Sequence, residues 1–397
     1  MVANLTRMPE DYGYERQVEV YTRQRATGET PEFPVAYEDL KEAAEAELTH
    51  EAYAYVAGGA GGEETKRENR RAIERWRIRP RMPRDLTGRS LETEILGTEF
   101  LAPVMLAPVG VQSIIDEDGE LATAAARETG IPFAHSTAAS EPMERVAKEL
   151  GETPGWFQLY WSADDDLTAS LLDRAEAAGY EAVVVTLDTP LLGWRERDIG
   201  LGYLPFMEGE GIANYLEDPV FREMLDADPE ENPDAAVTQF LDVFSDASHT
   251  WEDLEALAAS TDLPVVVKGV LHPDDADLAL EHGADGVVVS NHGGRQVDGS
   301  VAAADALPEV VDRVGEDVPV LFDSGVRRGG DAVRALALGA DAVLLGRPYV
   351  YGLALGGREG VEAVVENFLA DLDLTVALAG ATDVDGIDRS VLRERPD

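Results

Sequence analysis

From Pro103 onward, short apolar runs alternate with longer segments in which apolar residues recur every three or four positions. The first pattern predicts strands and the second amphipathic helices. The strand candidates are Val104–Ala107, Pro132–Ala134, Trp156–Leu159, Ala182–Thr186, Pro264–Val267, Gly286–Val289, Pro319–Phe322 and Ala342–Leu345. Most are apolar at successive positions, as parallel strands covered on both faces are. Between them lie helical patterns such as Glu120–Thr129 and Asp331–Leu338. Gly179, Gly283 and Gly339 stand where such helices would end in the left-handed conformation. Eight strand–helix units predict an α/β protein built as a (β/α)8 TIM barrel over 103–397. A doubly wound open sheet is the alternative, because the pattern alone does not prove closure.

Residues 1–102 read as an N-terminal helical extension packed on the barrel. Within it, 1–36 is polar and expected to wrap the surface. Helical patterns begin at Tyr37, reach Tyr53–Ala57 and resume over Glu68–Arg77. The cluster Gly58-Gly59-Ala60-Gly61-Gly62 has no preceding strand and no following Lys-Ser/Thr, so it reads as a helix stop and not a phosphate loop. One connection is out of proportion: about 75 residues separate Asp188 from the next strand. Its middle, 196–250, carries aromatics at Tyr203, Phe206, Tyr215, Phe221, Phe240 and Phe244. So long an insertion after strand 4 is expected to act as a lid; a surface decoration is the plainer reading.

Charge changes the picture of the surroundings. The chain has 78 acids against 33 bases, a net −45, spread along its length. Such a surface suits an organism with high internal salt, where self-repulsion is screened. It makes nucleic acid and anionic membrane poor partners. The insertion follows suit, with 12 acids and one arginine between Gly200 and Thr250. Cysteine is absent, which excludes disulfides, a thiol nucleophile and thiolate metal sites. No metal site is expected. No apolar run approaches a membrane span, and 1–10 lacks a signal core, so a cytoplasmic location is expected.

In a barrel, the residues just past the strands carry the chemistry. They are Ala107-Pro108-Val109-Gly110 after strand 1, Ser136-Thr137 after strand 2 and Gln158 to Tyr160 ending strand 3. Thr186-Leu187-Asp188, with Arg195 beyond, ends strand 4, and Lys268, one of only four lysines, ends strand 5. Ser290, His292 and Arg295 follow strand 6, Asp323 to Gly330 strand 7, and Gly346-Arg347-Pro348 strand 8. The glycine- and arginine-rich turns after strands 7 and 8 suit a phosphate, and the small turn after strand 1 suits a flat ligand. Capping by Arg and Gly is the structural alternative. Asp188 could hold His292 as a base, and Arg295 with Arg195 could clamp a carboxylate. Ordinary surface salt bridges are the alternative for the arginines. His135 reads as packing and His282 as a helix end.

These motifs together resemble the FMN-dependent L-2-hydroxy acid oxidase/dehydrogenase family, from about Tyr37 to the C-terminus. They are Ser290-Asn291-His292-Gly293-Gly294-Arg295-Gln296, Thr186-Leu187-Asp188-Thr189-Pro190, Phe157-Gln158-Leu159-Tyr160, Val267-Lys268-Gly269 and Asp323-Ser324-Gly325-Val326-Arg327. The resemblance implies oxidation of a small 2-hydroxy acid, with FMN as cofactor and O2 as acceptor. His292 would take the substrate proton, supported by Asp188, whether by carbanion or hydride transfer. Arg295, Arg195 and Tyr55 would hold the carboxylate, and Tyr160 the hydroxyl. Pro108, Val109, Gly110, Ser136, Gln158, Thr186, Lys268 and Ser290 would lie about the flavin ring. Asp323, Gly325, Arg327, Gly346 and Arg347 would hold the ribityl phosphate end.

Within the family the likeness is greatest to the lactate 2-monooxygenase and lactate oxidase subgroup. Gly110 stands where many oxidases carry Ala, and Asn214–Phe221 and Gly193-Trp194-Arg195 also look like that subgroup. L-lactate is therefore the expected substrate. Ala138, where glycolate oxidase carries Trp, implies a roomier pocket. A homo-oligomer, tetramer or octamer, is implied by resemblance only. A redox-neutral FMN barrel isomerase, of the type 2 isopentenyl-diphosphate isomerase kind, is the competing reading; it needs no His/Asp pair with an arginine clamp. Glycolate or another 2-hydroxy acid remains an alternative substrate.

Overall fold

The computed structural model describes residues 8–315 and 318–395. Its centre is a closed parallel barrel of β1 Val104–Leu106, β2 Phe133–Ser136, β3 Gly155–Tyr160, β4 Val183–Thr186, β5 Val265–Val270, β6 Gly286–Val289, β7 Val320–Phe322 and β8 Ala342–Leu345. Each strand pairs with its neighbours in chain order, and β8 pairs back onto β1 through Val343–Val104, Leu344–Met105 and Leu345–Leu106. That last pairing excludes the open sheet.

The strands are apolar at successive positions because each has two buried faces. Met105, Ala134, Trp156, Val184, Val266, Val288, Leu321 and Leu344 form one cluster inside the barrel. Their neighbours Leu106, Phe157, Val185, Val267, Val287, Val289 and Phe322 pack outward against the helices. A ribbon, Thr93–Ile95 paired with Thr98–Phe100, closes the N-terminal end. Phe100 meets Trp156 edge-on at 6.0 Å, and the Trp156 indole donates to Thr98 Oγ1 at 3.1 Å. One end being sealed with apolar groups, ligand chemistry is left to the other. Two residues further along each strand from the inner apolar layer stand Ala107, Ser136, Gln158, Thr186, Lys268, Ser290, Asp323 and Gly346. Side chains alternate along a strand, so these form the next inward layer and the floor of the open end.

The extension consists of α1 Tyr12–Thr27, α2 Tyr37–Glu47, α3 His50–Ala57 and α4 Glu64–Arg75. Helix α1 occupies a stretch expected only to wrap the surface. It buries little apart from Gly13, so its sequence lacks an apolar stripe. It is held instead by polar contacts to the last helix: Gly13 N–H to Asp373 at 2.9 Å and Arg16 to Glu366 at 3.1 Å. Residues 1–7, part of that stretch, lie outside the described residues.

The insertion after β4 is mostly short helices, among them Glu196–Leu201, Ala213–Leu216, Pro219–Glu223 and Pro233–Val243. Phe206, Tyr215, Phe221, Phe240 and Phe244 are buried together, with ring centroids 4.8 to 5.6 Å apart. It thus has an aromatic core of its own, packed on the barrel. Tyr203 stays outside that core, half-buried.

Candidate active site

The open end of the barrel holds a cleft of about 1520 Å3, its mouth included. Pro108, Val109 and Gly110 line one side of it, and Gly325, Arg327, Gly346 and Arg347 the phosphate-type turns. Tyr55, Tyr160, Arg195, Lys268, His292, Arg295 and Asp323 also reach it. Asp188 lies behind His292. Ser136, Gln158 and Thr186 form a bonded row in the floor: Ser136 Oγ donates to Gln158 Oε1 at 2.7 Å, and Gln158 Nε2 to Thr186 Oγ1 at 3.0 Å. Ser290 is fully buried in the same layer.

The histidine turn is strained and fastened. His292 has φ 57° and Ser324 φ 75°, conformations that cost a side-chain-bearing residue about 1 kcal/mol or more. Ser290 Oγ accepts from the His292 N–H at 3.0 Å. Ser324 Oγ accepts from the N–H groups of Asn291 and Gly293 at 3.1 and 3.0 Å. Asn291 exchanges reciprocal amide hydrogen bonds with Asn69 on α4, both 2.7 Å. Gln296 Nε2 donates to the Asp188 carbonyl at 2.6 Å. The turn is thus gripped by β7, α4 and the end of β4 at once.

His292 Nδ1 lies 2.8 Å from Asp188 Oδ1, and Thr189 Oγ1 donates to the same oxygen at 3.0 Å. Burial would raise the Asp188 pKa, but His292, Lys268 and Thr189 outweigh it and hold the carboxyl below its usual range. Burial pushes His292 down, Asp188 opposes, and Lys268 and Arg195 add to the lowering. At neutral pH the pair is carboxylate and neutral imidazole. Nδ1–H then faces Asp188, which leaves Nε2 as the free base. Lys268 is a buried cation 3.1 Å from Asp323 and 2.9 Å from Ser290 Oγ. Burial lowers its pKa, yet Asp323 and Asp188 more than offset that, so it stays charged.

Arg295 sits over the Tyr55 ring at 4.9 Å. Its donors reach the carbonyls of Tyr55 and Gly58 at 2.5 and 3.2 Å. Arg195 contacts the Arg295 carbonyl and Gln296 Oε1, each at 3.3 Å. Burial first, then the charges of Arg195 and Arg347, push Arg295 below its ordinary pKa. Among the described residues neither guanidinium makes a salt bridge, and Asp198 is the carboxylate whose charge reaches both; two crowded guanidiniums so placed suit an added anion. Tyr160 is held neutral: burial first, then Tyr55 and Asp188, push its pKa up.

Three details differ from the sequence reading. A methyl on Gly110 would point at the Ala138 carbonyl, 2.2 Å away, and so lie against the β2 turn instead of the cleft. Ala138 does not open the cleft: it is buried, and Gly211 of the insertion packs on its carbonyl. At the β7 turn, the N–H groups of Arg327 and Arg328 are taken by Asp331 at 3.1 and 3.2 Å. Arg70 locks Asp331 in turn, at 2.6 and 2.9 Å. Those two backbone donors therefore brace the turn, and its cation toward the cleft is the Arg327 side chain, stacked on Tyr37 at 4.5 Å. Tyr37, Lys66 and Asn69 of the extension and Phe206 and Phe244 of the insertion also line the cleft. Sequence reading missed their role there because none stands at a strand end.

A cleft with small residues along one stretch, a buried lysine and two arginines at a glycine-rich end fits a planar cofactor with a phosphate. The model of the FMN-dependent dehydrogenase family matches residues 44–394. The chain belongs to that family. L-lactate oxidase of Lysinibacillus sphaericus is 43% identical over 362 residues, covering 91% of this chain and 93% of the relative. Human 2-hydroxyacid oxidase 1 is 38% identical, covering 91% and 97%. Among solved structures, mandelate oxidase with (S)-4-hydroxymandelic acid superimposes with TM-score 0.81 at 40% identity, covering 91% of this chain and 98% of the other. The protein is an FMN-dependent oxidoreductase of the 2-hydroxy acid oxidase/dehydrogenase family. Among the described residues no helix is long and apolar enough to cross a membrane, and no group of three or more His, Asp or Glu is placed to hold a metal ion.

Proposed function

We propose that the enzyme oxidises an L-2-hydroxy acid, L-lactate by preference, with O2 as final acceptor. The observation that carries this is the base–arginine constellation: neutral His292 backed by Asp188, facing the cleft beside Arg295 and Arg195. FMN, when bound, supplies the two-electron acceptor. Arg295, Arg195 and Tyr55 hold the substrate carboxylate, and Tyr160 takes a hydrogen bond with the hydroxyl. His292 Nε2 receives the proton, and Asp188 stabilises the resulting imidazolium. Lys268, a buried cation in the cleft, would offset negative charge on FMN when the cofactor is bound. Ser136, Gln158, Thr186 and Ser290 of the floor, with Pro108, Val109 and Gly110, would hold the flavin ring. Asp323, Gly325, Arg327, Gly346 and Arg347 would hold the ribityl phosphate end. A redox-neutral isomerase would have no use for this pair and clamp.

The insertion 196–250 acts as the lid. Phe206 and Phe244 face the cleft, and the Phe244 ring lies tilted against Tyr160, centroids 5.0 Å apart, so this segment bounds the substrate side chain. Retained pyruvate would react with peroxide to give acetate and CO2, the monooxygenase outcome; release gives pyruvate and peroxide. The packed aromatic insertion favours retention. A product assay with L-lactate in air decides: acetate and CO2 in step with lactate consumed is the expected result, and stoichiometric peroxide would identify an oxidase. The enzyme works as a cytoplasmic homo-oligomer in a salt-rich cell, a reading supported by its acidic surface and by the family resemblance.

A further inference from the structure

The carbonyl end of α3 is contacted by cations from three other places in the chain. The last carbonyls of a helix have no partner within it. Here Tyr55 O accepts from Arg295 at 2.5 Å and Val56 O from Arg347 Nε at 3.0 Å. Ala57 O accepts from Lys66 Nζ at 2.7 Å. Gly58 O accepts from both arginines, at 3.2 and 2.8 Å. Arg347 reaches on to the Gly293 carbonyl at 3.3 Å, beside the catalytic histidine. Approach is close because a Cβ on Gly294, at φ 74°, would lie 2.6 Å from the Lys66 nitrogen of the main chain. The negative end of the helix dipole offsets the mutual repulsion of the three cations.

We propose that Lys66 is a positioning residue for substrate binding: by holding the Ala57 carbonyl it fixes the α3 end that presents Tyr55 and anchors Arg295 and Arg347. This rests on the reading that Arg295 receives the substrate carboxylate. The Gly58 carbonyl joins the substrate arginine to the phosphate-end arginine, so a loosened α3 end disturbs both. Lys66 is tunable. The charged groups facing it are Glu63, at 2.7 Å, Arg347 and Arg197. Burial first, then Arg347, brings its pKa down to about 8, against the opposing effect of Glu63. Lys66 is therefore a cation below that pH and loses its pull on the helix end and on Glu63 above it.

The test is calorimetric binding of oxalate, an unreactive carboxylate, to the FMN-loaded enzyme at pH 7 and about pH 9, with FMN content read from absorbance. Lys66→Met is expected to weaken oxalate binding about tenfold at pH 7, the scale of one lost charged hydrogen bond. Lys66→Arg, charged throughout, is expected to bind as the parent does at pH 7 and to abolish the parent's extra loss of affinity at the higher pH. Unchanged binding by Lys66→Met, or the same pH-dependent loss in Lys66→Arg, would overturn the proposal. If Lys66→Met does not fold, the pH comparison with Lys66→Arg decides alone. A parent protein that binds neither FMN nor oxalate would instead sink the functional reading itself.

Discussion

At the scale of single residues, the proposed catalysis rests on how His292 is kept neutral and aimed. Burial lowers its pKa, and Asp188 partly restores it. Since the base must be unprotonated, kcat/KM should rise with pH through an acid limb below the ordinary histidine value of ~6.5. Asp188→Asn removes the group that opposes burial, so the limb should move to lower pH while the rate falls by roughly 10²- to 10⁴-fold. A limb that moves up would contradict this assignment of the pair. His292→Ala should lose at least as much rate and keep its FMN, because the side chain's hydrogen bonds run to Asp188 and Thr189 and not to the phosphate-end groups. The pair was readable in the sequence, since a histidine and an aspartate each just past a strand must share one barrel mouth. The positive φ of His292 and the role of Lys66 were not readable. Both depend on which backbone groups of distant segments meet the turn, and nothing in local spacing records that.

At the scale of elements, the β1 and β2 turns are pressed together. The Val111 N–H donates to the Ala138 carbonyl at 2.9 Å, and a Cβ on Gly110 has no space before that carbonyl. Gly110→Ala should therefore push the β1 turn out of place, at a cost of about 1–3 kcal/mol typical of overpacking. Thermal melting and FMN dissociation should both show it; an unchanged FMN affinity would mean that the turns part freely. The barrel strands were readable because burial on both faces writes a dense apolar signature, and all eight overlap the expected runs, three of them running past an end. Helix α1 was not, because polar contacts hold it. The insertion was recognised by length and aromatics, but its filling of the space beside Ala138 follows from folding alone. A roomier pocket is thus replaced by one bounded by Phe206 and Phe244.

At the scale of the whole molecule, a net charge of −45 on 397 residues opposes compactness unless it is screened. The melting temperature should rise as KCl is increased from low to molar concentration, and insensitivity to salt would contradict the salt-rich setting. Charge of this kind was evident from composition; the barrel's closure came only from the β8–β1 pairing. The proposed function joins these scales: with FMN bound as the two-electron acceptor, the open end of the barrel would oxidise a 2-hydroxy acid at its α-carbon. The most direct measurement is the visible spectrum of the FMN-loaded enzyme mixed with L-lactate in the absence of oxygen. Rapid bleaching by the L-isomer and none by the D-isomer is expected. A spectrum left unchanged by L-lactate, glycolate and (S)-mandelate alike would contradict the account.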